Sequence, residues 1–189
     1  MSRRLLPVAA LLALVAGCHG TPAAPETPMS SPTVASVDGP VAFHVRLGAG
    51  QRLTTQTPGA DGCPAVAVTV TLGQGRVVRL VAFATTCVAV GDNARPGNGR
   101  HGVFRTADDI PAERRDGAST VQTALGTATI FTQPYFECTN SCKNFTEPVA
   151  VIVLDHPADP GVKALTALAE KGAVDRDALT ALLRDQLTA

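Results

Sequence analysis

Alternation of apolar with small or polar positions runs through most of the chain after residue 40, and it predicts strands. Residues 66–72 (VAVTVTL) put Val66, Val68, Val70 and Leu72 on one face, and 76–84 (RVVRLVAFA) resumes the pattern after Gly73-Gln74-Gly75, so the two read as a hairpin. Residues 41–47 (VAFHVRL) and 51–57 (QRLTTQT) read as two more strands around Gly48-Ala49-Gly50, with His44 facing away from Phe43 and Val45. Residues 119–133 (STVQTALGTATIFTQ) read as a strand pair or one bulged strand, with Gly126 at the turn or bulge. The run 149–154 (VAVIVL) is apolar without interruption, which predicts a central strand covered on both faces. Between them, 88–118 is rich in glycine and proline and predicts a long loop with a short strand at 102–105.

The period changes near the C-terminus. Asp159-Pro160 supplies a cap and a first-turn proline, Val162, Leu165 and Leu168 follow at helical spacing, and Gly172 is a stop. Asp175 caps a second helix, Val174 can staple onto Leu179, and Leu179, Leu182, Leu183 and Leu187 form its apolar stripe. The expected fold class is therefore α+β: a mostly antiparallel sheet of about five to seven strands with two C-terminal helices packed on one face.

The N-terminus follows a different pattern. Arg3 and Arg4 precede an apolar core from Leu5 to Ala16, shorter than the roughly 20 residues that span a hydrocarbon layer, and small residues lead to Cys18. Val15-Ala16-Gly17-Cys18 resembles the lipobox of bacterial lipoproteins. The resemblance covers residues 1–18 and implies cleavage after residue 17, lipid attachment at Cys18, and anchoring on the extracytoplasmic face of the cell membrane without a membrane span. From 18 to 40 the chain turns to Pro, Ala, Ser and Thr, too poor in apolar surface to offset ordering entropy, which predicts a tether reaching on the order of 60 Å. Residues 41–189 have the size of one domain.

Without Arg3 and Arg4 the chain keeps 14 basic against 16 acidic side chains, and it has no Trp and one Tyr. Neither an electrostatic footprint nor a stacking platform for nucleic acid is present. Cys63, Cys87, Cys138 and Cys142 remain, an even number in an exported domain, where disulfides persist. Opposed positions in a hairpin have a constant index sum, and a loop centred on Gly75 gives a sum of 150, pairing Cys63 with Cys87; a tighter loop puts Cys63 opposite Thr85 with Cys87 on the diagonal. Cys138 then pairs with Cys142 across Thr-Asn-Ser.

Charge gathers in 92–116, where Arg100, His101 and Arg105 offer an anion or acidic partner a contact and Asp108 and Asp109 offer one to a cation. The competing reading is a solvated, mutually paired cluster. Ser119, His101 and an aspartate can be drawn as a triad, but no Gly-x-Ser-x-Gly elbow supports it. The Cys138-x-x-x-Cys142 spacing with His156 is similar to the ligand set of thioredoxin-like copper chaperones, yet the strand-like run after Cys142 replaces the helix expected there. No catalytic residue, cofactor or metal is assigned. The functional expectation is a membrane-anchored, non-enzymatic module binding an unknown protein or small molecule; the alternative is a small exported enzyme or thiol/copper redox protein using His101 with Asp108/Asp109 or Cys138/Cys142.

Overall fold

A computed structural model describes residues 31–57, 63–87, 103–138 and 140–189. Cys18, Arg100 and His101 lie outside the described residues, as does the signal segment.

Among the described residues ten strands form two antiparallel sheets. Strands β1 (Thr33–Val37), β2 (Phe43–Leu47) and β10 (Leu187–Thr188) make the smaller one, in the order β1-β2-β10. The larger sheet contains β3 (Arg52–Gln56), β4 (Val66–Thr71), β5 (Val77–Ala82), β6 (Ser119–Thr123), β7 (Gly126–Cys138), β8 (Cys142–Leu154) and β9 (Ala164–Ala169). Their order is β3-β4-β5-β9-β8-β7-β6. The described residues also contain two α-helices, α1 (Ala112–Arg115) and α2 (Arg176–Asp185).

Period-2 alternation decides which side chains meet. The face of the large sheet bearing Val68, Val70, Val78, Leu80, Leu165, Ala167, Ile152 and Ile130 forms one apolar cluster with Phe43 and Val45 of β2 and with Leu179, Leu182 and Leu183 of α2. The opposite face carries a smaller cluster in which Phe104 and Ile110 cover Phe131, Val149, Val151, Ala164 and Leu168. Among the described residues the second cover stops at β9 and leaves part of that face open.

The α+β expectation does not hold: the fold is mostly antiparallel β, and among the described residues α2 is the single helix of seven residues or more. The segment read as a first C-terminal helix is the strand β9, laddered to β5 on one side and β8 on the other. All six of its residues are buried. Leu165 and Leu168, spaced as if on one helical stripe, point to opposite faces and enter different clusters. Two complete ladders and burial of both faces outweigh the helix propensity of an Ala- and Leu-rich segment, which sums to only a few tenths of a kcal/mol per residue. The cap signals have another use there: Asp159 Oδ1 accepts the Gly161 N–H at 2.7 Å, an Asx turn entering the strand.

The second helix forms as expected over Arg176–Asp185, with Asp175 Oδ1 accepting from the Ala178 N–H at 2.8 Å, but it ends before Leu187, which lies in β10 opposite Val45 instead of on the helical stripe. The domain, however, starts earlier than residue 41. Thr33–Val37 pairs with β2 along its whole length, so the C-terminal part of the expected tether belongs to the small sheet. His44 faces away from the core, as read, and its ring Nδ1 lies 3.0 Å from Ser36 Oγ, directly across the ladder.

Candidate functional site

The uncovered part of the large sheet's second face is a groove of about 280 Å³. Register places its walls. Gln56, Ala67, Val81 and Thr166 lie along successive strands β3, β4, β5 and β9, and one step along the strands lies the row Arg79, Leu168, Val149 and Phe131. Gln133 follows Phe131 on the same face of β7. Phe104 forms a wall, held edge-on against Phe131 with ring centroids 5.6 Å apart, and Pro64 and Phe83 close the rim.

Most of the lining is apolar, which makes its polar exceptions informative. Gln133 is 1% exposed and Thr166 is 4% exposed, yet neither amide atom of Gln133 nor Oγ1 of Thr166 has a partner among the described residues. Nε of Arg79 is also buried without one, while its terminal Nη2 lies 2.6 Å from Glu170 Oε1. A buried polar group left unpaired costs about 1–3 kcal/mol, so a face carrying three such groups is built against stability. The sequence carried a signal for them: each is a polar residue in phase with apolar neighbours, as Arg79 is between Val77 and Val81.

Among the described residues two disulfides are present, Cys63–Cys87 and Cys138–Cys142. The first closes the open end of the β4–β5 hairpin with a Cα–Cα separation of 5.9 Å. Val66 pairs with Ala82, an index sum of 148 instead of 150, so the tighter loop is the one formed and the bond runs on the diagonal. It adjoins the groove through Pro64. The second staples the tip of the long β7–β8 ribbon, where Tyr135 and Phe145 stack at 5.8 Å.

The charged residues of 92–116 that are described act as fasteners. Asp109 accepts from the backbone N–H of Arg105 at 2.7 Å and of Thr106 at 3.0 Å, and from the Arg105 guanidinium at 3.1 Å. Arg105 in turn donates to the Cys87 carbonyl at 3.2 Å, tying the cover over the second face to the disulfide. Burial pushes the Asp109 carboxyl up, but the hydrogen bonds and the adjacent Arg105 charge together hold it below the usual carboxylate range. The same hydrogen bond and charge raise Arg105. Asp108 is exposed and contributes its backbone carbonyl to Arg115 at 2.9 Å. Asp108 and Asp109 therefore do not converge on a cation, and no group of three His, Cys, Asp or Glu able to hold a metal occurs among the described residues. Ser119 accepts from Arg176 at 2.9 Å, a contact between the β6 edge and α2. Cys142 opens β8 and His156 lies beyond its other end, roughly 40 Å apart at the rise of an extended strand, so the copper ligand set is not assembled.

Among the described residues no helix is long and apolar enough to cross a membrane. Comparison of the chain with protein-family models, with curated proteins and with solved structures returns no match.

Proposed function

We propose that this chain is a lipid-anchored, extracytoplasmic, non-enzymatic binding module that takes a small molecule into the groove on the second face of its large sheet. The observation that carries the reading is the buried polar set of Gln133, Thr166 and Arg79 Nε, unpartnered among the described residues, within a mostly apolar groove. An apolar cleft with a few convergent polar groups is the usual form of a small-molecule site, and about 280 Å³ is close to twice the volume of a cavity that accepts benzene. The lipobox-like Val15-Ala16-Gly17-Cys18 supports the address, and the two disulfides suit an oxidising compartment.

Titrating the full chain with toluene and cyclohexanone while following methyl NMR signals tests the groove. Shifts concentrated at Val81, Val149 and Leu168 are expected; shifts scattered over the surface, or none, would remove the small-molecule reading. Metabolic labelling with an alkyne fatty acid tests the anchor, with label expected on the native chain and lost in Cys18→Ser.

A further inference from the structure

The polar atoms of the groove are arranged in two groups, and the arrangement defines a ligand class. Gln133 presents both ends of its carboxamide unpartnered, so whichever way the amide is turned its edge offers one donor and one acceptor side by side. Arg79 Nε and Thr166 Oγ1 sit on neighbouring strands β5 and β9, on a cross-strand diagonal, because Thr166 pairs with Val81 and Leu168 with Arg79. Between the two groups Val149 and Leu168 provide an apolar floor, and the ladders put Gln133 about 16 Å along the sheet from both Arg79 and Thr166, measured between backbones.

Charge then narrows the choice. Arg79 is already paired with Glu170 at 2.6 Å, and the fully buried Glu147 lies directly across the ladder from Gln133. A carboxylate ligand has no donor for the Gln133 oxygen and would meet these two acidic side chains. A trans amide, as in a peptide chain, carries its donor and acceptor on opposite edges.

We propose that the groove binds a neutral molecule with a cis-amide edge, a lactam, a cyclic imide or a primary carboxamide. It pairs in two hydrogen bonds with Gln133, lays its apolar body over Val149 and Leu168, and carries a second acceptor at its far end toward Arg79 Nε and Thr166 Oγ1. This rests on the small-molecule reading of the same groove.

The test titrates the full chain with three water-soluble probes of similar size: ε-caprolactam, N-methyl-ε-caprolactam, which keeps the acceptor and loses the donor, and cyclohexanone, which has an acceptor alone. Caprolactam should bind at least about tenfold more tightly than the other two, the effect of one well-made hydrogen bond in a dry site. Gln133→Leu should abolish that preference. Equal binding of all three by the native chain, or a preference that survives Gln133→Leu, overturns the amide class while the groove remains a small-molecule site. Failure of all three to bind overturns both.

Discussion

Gln133 and Glu147 face each other across the β7–β8 ladder, 1% and 0% exposed, and only the carboxyl has a protein partner: its Oε1 accepts the Lys171 N–H at 2.6 Å. Lys171 holds that position with φ 53°, in the turn after β9, and its Nζ reaches Glu137 at 2.7 Å. One member of the pair fastens the sheet to the following turn. The other faces the groove.

Gln133→Leu should therefore stabilise the protein. The substitution removes a buried donor and acceptor that the folded chain leaves unpaired and replaces them with apolar atoms of similar volume, a gain of about 1 kcal/mol. For a domain of this size that is an upward shift of roughly 2–4 °C in thermal midpoint. A scan in which Gln133→Leu melts below the native chain would show that the amide contributes to folding, which is incompatible with its being held ready for a ligand.

Asp109 predicts a pH dependence. Its folded value is depressed, so its contribution is present above the unfolded value of about 4 and lost as pH falls through the folded value. Asp109→Asn should cost about 1–2 kcal/mol at pH 7, the range for hydrogen bonds to a charged group after allowance for partial solvent screening. Near pH 3 the gap between native and variant midpoints should be visibly smaller. An undiminished gap at pH 3 would assign the loss to packing and not to the ionised carboxylate.

The two disulfides should differ in worth. Cys63–Cys87 joins residues 24 apart, for which loop-closure entropy gives about 3.5 kcal/mol, and Cys138–Cys142 joins residues 4 apart, for which it gives no more than about 2. Paired serine variants followed by urea melts should rank them in that order. Because Cys63–Cys87 adjoins Pro64, and Arg105 donates to the Cys87 carbonyl, its removal should also weaken cyclohexanone binding at the groove. Removal of the ribbon-tip bond should leave that binding unchanged, and the reverse pattern would place the site elsewhere.

Local pattern made the hairpins and the last helix legible. The alternation in β4 and β5 is unambiguous, and Asp175 with Leu179, Leu182 and Leu183 satisfies cap and stripe together. β9 was not legible, because Val162, Leu165 and Leu168 fit a helical stripe as well as they fit a strand buried on both sides, and only the presence of β5 and β8 as neighbours decides between them. β1 was hidden by its composition: Val34 stays 59% exposed and Val37 alone is buried, so the strand exists through pairing with β2. The groove was illegible for a related reason. Gln56, Arg79, Thr166 and Gln133 come from four strands, and their shared face follows from strand order, which no local pattern encodes.

Gly126 tests the strand order directly. Its place in β7 opposite Leu154 is reached with φ 144°, a region side chains rarely adopt, and a Cβ added there would collide with the backbone carbonyl oxygen of Val153 on β8. The neighbouring turn is fixed as well, since Thr123 Oγ1 donates to the Gly126 carbonyl at 2.8 Å and the Asp155 N–H reaches the Leu125 carbonyl at 3.0 Å. Neither strand can retreat, because β8 is held on its other side by β9. Gly126→Ala should therefore cost more than 2 kcal/mol, combining strain at that φ with a backbone clash, against roughly 1 kcal/mol or less for Gly73→Ala, which has open space for its Cβ. Denaturant melts of the two variants measure the contrast; equal costs would mean that β7 and β8 do not meet at this register.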